Sequence, residues 1–437
     1  MTAQRTLLRD LSSSIGQEVL IQGSVDVRRD QGKMIFFDIR DRSGKVQCVV
    51  LPGSEAMETA KRLRPEWVVG FHGVVNKRPE KNVNQNVQNG DVELEVKYID
   101  VLSEVAELPF ERDADVNLDT CLNYRPYTLR SEANKAIFKL QAAIVEEYRQ
   151  SLRRQEFVEF QAPAIVGGDA EGGAAAFKVG YYDHTGFLAT SPQFYKEIMV
   201  GPFERSFTVA KIFRGEKHAT ARHLSELTQM DFEMGFIENE LEPMAVLETV
   251  VRDVVSEVGS THKDIFEAFK VPVPALGKKF PILTLREIQK ILGVKEEDDL
   301  VPEDERRICE WALKEHGSDF VFVTRFPTSV RAFYTYEDPS EAPYSRGFDL
   351  LFRGLEINSG SQRIHNYDML VERIKSRGMK PELFSFYLQA FKYGLPPHGG
   401  SSTGLERFTM KMLNLPNVRE ATAFPRDMNR IDNLLSN

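Results

Sequence analysis

The chain has 437 residues, a formal net charge of −9, and 42% hydrophobic and 28% charged residues. That length exceeds one ordinary core, so two or more domains are expected, of soluble globular composition. The negative total argues against a protein that coats nucleic acid generally, although local basic surfaces can still meet phosphates. No run reaches the ~18 apolar residues of a membrane span, and the start MTAQRTLLRDLSSS lacks the apolar core of an export signal. Cys48, Cys121 and Cys309 are isolated and odd in number, which points to a reducing compartment without a disulfide or zinc framework.

Residues 1–105 read as a compact all-β unit. EVLIQGSVDVRRD, KMIFFDIRD, KVQCVVLP, WVVGFHGVVNKRP and DVELEVKYIDVL are strand-like and separated by turn signals such as Asn89-Gly90. Five strands with one short helical pattern, SEAMETAKRL, fit an OB-fold barrel, which presents a face and loops to single-stranded nucleic acid. Residues 106–130 are polar and read as an irregular hinge.

From Ser131 the period changes. Ile137, Leu140, Ile144, Val145, Tyr148 and Leu152 recur at helical spacing, with Ser131 as N-cap and Glu132 in the first turn. FVEFQAP then reads as a short strand ending at Pro163. The glycine-rich, acidic stretch 167–173 excludes regular structure and is expected to be mobile. Without a Lys-Ser/Thr ending it makes a poor phosphate cradle. Strand-to-helix LATSPQFYK puts Gln193 and Lys196 on one helical face.

Residues 205–212 and 227–237 alternate as two strands around a polar loop. The arms carry Arg214, Glu216, Asp231 and Glu233. Charges are rarely buried unless paired or bound, so the hairpin is either a solvated surface feature or a site. Residues 237–275 are helical by period, and 276–346 mix a helix (EDERRICEWALKEH) with a strand (DFVFVTRFP) in an insertion of no assigned role. GFDLLFRGLEINSGSQRIH reads as one strand-like segment carrying Asp349 and Glu356, with Arg363 seven residues on. Gly399 to Gly404 read as a glycine-rich turn before a helix carrying Arg407.

Phe213-Arg214-Gly215-Glu216, the loop to Arg222-His223 and the acidic strand to Glu233 resemble motif 2 of class II aminoacyl-tRNA synthetases. Gly404-Leu405-Glu406-Arg407 resembles motif 3. The long helix, strand and Pro163 resemble motif 1, which makes the dimer interface in those enzymes. With RGLEINSGSQRIH and no large insertion before motif 3, the whole chain resembles the archaeal/eukaryotic-type aspartyl-tRNA synthetases. The implied fold is α+β and multidomain: an OB-fold anticodon-binding domain (1–105), a hinge (106–130) and a class II catalytic domain (131–437). The last is an antiparallel sheet flanked by helices, with a small insertion around 276–330.

The resemblance implies ATP-dependent activation of L-aspartate and transfer to the aspartate tRNA, with the asparagine tRNA left open. It also implies ATP and Mg²⁺, a cytoplasmic homodimer, and no membrane or DNA partner. Its chemistry joins a carboxylate to the α-phosphorus of ATP. Two anions must meet, so fixed cations and a metal are needed.

Arg214 matches the arginine on the α-phosphate, and Glu216 the adenine-amino contact. Arg222 and His223 fall in the loop over the terminal phosphates, and Arg407 matches the arginine stacked on adenine. Leu227 stands where many relatives have Phe under that base. Asp349 and Glu356 match metal carboxylates, with Ser359 auxiliary. Glu171, Ser191, Gln193 and Asp231 match the amino-acid shell. Lys196 and Arg363 match the grip on the side-chain carboxylate, and asparagine enzymes lack Lys196. An amide substrate is expected to leave these two cations without a partner. In the barrel, Phe36 matches the aromatic that stacks on an anticodon base, with Arg29, Gln47 and Glu93 as further contacts. By spacing alone Phe36 is a core residue.

Three alternatives stay open: an asparaginyl-tRNA synthetase, a tRNA-independent amide-forming ligase of the same fold, and a related module with a dead site. The N-terminal OB-like unit argues against the ligase, and intact Arg214, Glu216, Asp349, Glu356 and Arg407 against the dead site. Ser24, Asp26 and the loop KNVNQNVQNG lack the aromatic readers of some relatives, which puts strict tRNA discrimination in doubt.

Overall fold

A computed structural model describes residues 4–85, 87–168, 176–217 and 220–435. The chain divides into two compact units, Met1–Glu111 and Arg112–Asn437.

In the first unit, β1 (Glu18–Asp30), β2 (Ile35–Asp41), β3 (Gly44–Val50), β4 (Val68–Lys77) and β5 (Val92–Ser103) close into a barrel of order β1-β2-β3-β5-β4. The short helix Met57–Arg62 lies between β3 and β4. Strand alternation sends Ile35, Phe37 and Ile39 into the core, where all three are at most 2% exposed, and Phe36 to the opposite face. The alternation therefore removes Phe36 from the barrel core.

The second unit is built on β6 (Val158–Glu159), β10 (Arg205–Phe213), β11 (Glu226–Gly235), β12 (Ile282–Thr284), β13 (Phe320–Thr324), β14 (Gly347–Phe352), β15 (Glu356–Gln362) and β16 (His398–Gly404). Their order is β12-β13-β14-β15-β16-β11-β10-β6. The six central strands are antiparallel, while β12 and β6 pair parallel at the two edges, so the sheet is mixed rather than purely antiparallel. A small sheet of β7 (Ile165–Val166), β8 (Lys178–Tyr181) and β9 (His184–Leu188) stands apart.

The helix Glu132–Arg154 starts where expected, with the Ser131 hydroxyl accepting from Asn134 N at 3.2 Å. It packs with the helix Leu241–Thr261 against one face of the sheet, and Leu140, Ile144, Val254, Phe232 and Phe348 share that core. Apolar burial of this kind stabilises by ~25 cal/mol per Å². Among the described residues no helix is long and apolar enough to cross a membrane.

Three further expectations change. Residues 112–130 are not irregular throughout: they hold the short helices Leu118–Asn123 and Arg125–Thr128. Buried Arg125 donates to the carbonyls of Thr422 and Ala423, which ties this stretch to the C-terminal end of its unit. Asp349 and Glu356 lie not on one strand but on the two arms of a hairpin, because Arg353 and Gly354 take positive φ and turn the chain. The third concerns Gly399 to Gly404, which form the central strand β16 and not a turn. A Cβ on Gly400 would sit 2.1 Å from the Phe232 carbonyl, so glycine there allows close strand approach.

Candidate active site

A cleft of about 720 Å³ opens over the middle of the sheet, lined from β11, β15, β16 and the helix Leu405–Met412. Of the sequence-predicted residues it gathers Ser191, Gln193, Arg214, Glu216, Arg222, His223, Glu356, Ser359, Arg363 and Arg407. Lys196, Asp231 and Asp349 stand behind this lining, and Glu171 lies outside the described residues, as does most of the glycine-rich loop.

At one end the cations are buried and already paired. Lys196 is 0% exposed; its Nζ donates to Asp231 Oδ2 at 3.0 Å and to Ser401 O at 3.3 Å, and lies 3.4 Å from Glu233 Oε2. Arg363 Nε donates to Glu233 Oε1 at 2.9 Å, its Nη2 to Gly400 O, and its Nη1 to Ser361 Oγ. Asp231 Oδ1 accepts from Ser402 Oγ at 2.6 Å. Burial would lower the Arg363 pKa, but the charge and hydrogen bonds of Glu233 more than reverse this, so it is raised.

The expectation of unpartnered cations is therefore corrected: Asp231 and Glu233 balance Lys196 and Arg363 before any substrate arrives. Burying bare charge would cost several kcal/mol per ion, which is the physical reason for the pairing. Asp231, with both oxygens engaged, serves here as the counterion of Lys196.

The opposite end is looser. No hydrogen bond or ion pair among the described residues engages the Arg214 guanidinium. Arg407 Nη1 reaches Glu356 O at 3.3 Å and Glu356 Oε2 only at 3.9 Å, and Arg222 Nη1 meets Glu305 Oε2 at 3.3 Å. Leu227 lines the cleft as a half-buried residue.

Between the two ends, Asp349 faces Ser359 across β14 and β15. Arg331 clamps Asp349 with both terminal nitrogens, at 2.9 and 2.7 Å, and donates to Ser359 Oγ at 3.0 Å. Burial first, and the Asp349 charge second, push the Glu356 carboxyl up to about 7, against the opposing charges of Arg407 and Arg331. Among the described residues no group of three or more His, Cys, Asp or Glu has a metal-holding arrangement. The two carboxylates and a hydroxyl still fit magnesium, a hard cation commonly held by one or two carboxylates plus substrate phosphates.

Sequence reasoning named Glu233 on the hairpin without a role, and gave none to Arg331, Glu305 and Gln229. Gln229 is 8% exposed, lines the cleft, and its buried Oε1 has no hydrogen-bond partner among the described residues. For Glu233 a signal existed: it follows Asp231 by two on one strand, so both acids share a face.

On the barrel, Arg29, Phe36, Gln47 and Glu93 fall on one outer face. Arg29 pairs with Phe36 in register across β1 and β2, and Gln47 with Glu93 across β3 and β5. Arg29 donates twice to Asp38, at 2.7 and 2.8 Å, and Gln47 Nε2 donates to Glu93 Oε2 at 3.1 Å. The half-exposed aromatic thus sits beside an ordered polar network, an arrangement suited to stacking a base and reading its edge.

Residues 117–428 match the model of class II tRNA synthetases (D, K and N), and residues 19–102 the OB-fold nucleic acid binding domain. The chain belongs to the class II tRNA synthetases of that group.

It is 45% identical to the aspartate–tRNA(Asp/Asn) ligase of Thermus thermophilus over 98% of this chain and 99% of the relative. It is 38% identical to the ligase of the same name from Aeropyrum pernix, over 97% and 98%. Among solved structures it resembles the asparaginyl-tRNA synthetase of Pyrococcus horikoshii complexed with asparaginyl-adenylate, with TM-score 0.90 and 31% identity over 99% of this chain and 100% of that one. It also resembles an aspartyl-tRNA synthetase of Entamoeba histolytica, with TM-score 0.86 and 29% identity over 98% and 93%.

Proposed function

We propose that the chain is an aspartate–tRNA ligase: it joins L-aspartate to ATP as aspartyl-adenylate and transfers the aspartyl group to the 3′ end of tRNA. The observation that carries this reading is the buried Lys196–Glu233–Arg363 cluster, which closes one end of a cleft whose other end presents Arg214 and Arg407. The near-full-length relatives named aspartate–tRNA(Asp/Asn) ligases support it.

In this reading Arg363, which lines the cleft, takes the side-chain carboxylate. Lys196 acts from behind by fixing Asp231 and Glu233. Ser191 and Gln193 receive the α-amino group. Arg214 holds the α-phosphate against the attacking carboxylate, and a guanidinium without a prior partner suits that task. Glu216 takes the adenine amino group and Arg407 stacks on the ring. Leu227 opposite makes the stack one-sided, weakening it by roughly 1 kcal/mol. Arg222 and His223 cover the terminal phosphates. Asp349, Glu356 and Ser359 would hold Mg²⁺, which when bound neutralises phosphate charge.

The face of the helix Glu132–Arg154 with Phe138, Gln141, Ala142 and Val145 lines a shallow groove with Leu405, and it supports a two-fold dimer. The barrel face of Arg29, Phe36, Gln47 and Glu93 reads the anticodon, and the protein works in the cytoplasm. Both the aspartate and the asparagine tRNA are charged, as the relatives' names suggest.

Activation of asparagine is the second reading. The likeness to the asparaginyl-tRNA synthetase favours it. ATP–pyrophosphate exchange with each amino acid separates the two. Charging of each purified tRNA tests the tRNA range.

A further inference from the structure

Glu197 is 0% exposed and takes no part in the chemistry above. It follows Gln193 by one helical turn, on the same face of the helix Gln193–Phe203. Its Oε1 accepts from Gln193 Nε2 at 2.6 Å. Its Oε2 accepts from Tyr387 Oη at 2.8 Å and faces His398 Nε2 at 3.0 Å. Tyr387 and His398 are 1% and 0% exposed.

The donors and acceptors present fix the direction of each bond. His398 Nδ1 faces the carbonyl of Pro396 at 2.8 Å. A carbonyl only accepts, so Nδ1 carries a proton, and with a carboxylate on the other side both ring nitrogens point at acceptors. Burial would push the Glu197 carboxyl up, but the hydrogen bond and charge of His398, with Arg363 and Gln193, outweigh it and hold it below the ordinary range. Its Oε2 is the oxygen that meets Tyr387 and His398, which leaves Oε1 as an acceptor toward Gln193. Flipping the Gln193 amide would set its oxygen 2.6 Å from a carboxylate oxygen, two acceptors face to face. The NH₂ must point to Glu197, and the oxygen must point away. Gln193 lines the cleft, and no hydrogen bond among the described residues uses that oxygen.

We propose that Glu197, backed by His398 and Tyr387, is a positioning residue that locks the Gln193 amide with its oxygen toward the cleft, where it accepts from the substrate α-ammonium. The lock turns the Gln193 oxygen, an acceptor, toward the cleft. It selects a cationic α-amino group and gives nothing to a substrate that needs a donor there. The proposal rests on the reading of Gln193 as an α-amino contact.

The test is aspartate-dependent ATP–pyrophosphate exchange by the full chain as wild type, Glu197→Gln, Gln193→Ala and the double variant. In Glu197→Gln the introduced amide can donate to the Gln193 oxygen and release the flip. The expected result is a KM for aspartate raised roughly 10- to 100-fold in Glu197→Gln, with kcat and the KM for ATP within about threefold of wild type. In the Gln193→Ala background Glu197→Gln adds less than about threefold, because the group it acts through is gone.

An equal penalty in both backgrounds, a parallel rise in the KM for ATP, or an unchanged KM for aspartate overturns the lock. If Gln193→Ala itself leaves the KM for aspartate unchanged, the α-amino reading fails and the lock fails with it. If wild type shows no exchange with aspartate, the proposed function itself is at fault. Should Glu197→Gln not fold, Glu197→Asp keeps the charge facing His398 but withdraws it from Gln193. The same KM loss and the same non-additivity are then expected, and their absence overturns the proposal.

Discussion

At one end of the cleft Lys196 and Arg363 are buried and tied to Asp231 and Glu233; at the other, Arg214 has no ion pair among the described residues and Arg407 meets the Glu356 carboxylate only at 3.9 Å. In the proposed function both ends meet an anion, but of different kinds. A triphosphate brings several charges and its own metal, so loosely held arginines can turn to it at little cost. An amino-acid side chain brings one charge, and selecting it needs fixed geometry. The paired end supplies that geometry in advance, as preorganised sites do. The open end supplies uncommitted charge.

The largest contrast is expected between Arg363→Leu and Arg214→Ala. Removing Arg363 leaves Glu233 buried beside one cation instead of two. Breaking such a pair costs ~3–5 kcal/mol, so thermal stability and aspartate exchange fall together, exchange by roughly 10²–10³-fold. Arg214→Ala should lose exchange by a similar ~10²–10³-fold, the scale of one lost transition-state donor, with little change in melting temperature. Equal destabilisation by both variants would erase the distinction between a paired and an open end.

Lys196→Leu separates the two ends further. Lys196 does not line the cleft, so the loss comes through misplaced Asp231 and Glu233. Aspartate exchange should fall less than in Arg363→Leu, with ATP affinity measured by calorimetry unchanged. A fall in ATP affinity would mean that the two ends are not independent.

The barrel offers a third region. Phe36→Ala should lower tRNA charging roughly tenfold or more, since a stacked base is worth ~1–3 kcal/mol, and leave pyrophosphate exchange unchanged. Losses in both assays would mark Phe36 as structural despite its outward direction. The smallest effect is expected for Glu305→Ala, which frees Arg222 from a single partially exposed ion pair. Such pairs are worth ~0–1 kcal/mol, so the KM for ATP should move by no more than about fivefold.

The sequence carried the local features well. Alternation distinguished strands from helices, Ser131 announced its helix, and the hairpin arms around Arg214 and Glu226 were readable from period alone. Long-range partnership was not readable. Glu233 and Arg363 are 130 positions apart, and nothing local says that one neutralises the other. Arg331 sat in a segment without a recognised motif, yet it clamps Asp349. Glycine misled at Gly399 and Gly400, where it signals close strand approach and not a turn, because sequence shows the missing side chain but not what fills its space. The energetic expectation changed most: open cations would have implied a steep penalty for an amide substrate. Paired ones imply only the difference between a charged and a neutral acceptor at Arg363.

Choice of the amino acid turns on that difference, and ATP–pyrophosphate exchange by the wild-type chain with aspartate and with asparagine measures it. A hydrogen bond to a charged group outweighs a neutral one by enough for roughly 10- to 100-fold in kcat/KM. Aspartate is predicted to support exchange by at least that margin over asparagine, and Arg363→Leu to narrow the gap by lowering the aspartate rate. Exchange supported as well by asparagine as by aspartate would contradict the assignment of Arg363 to the side-chain carboxylate.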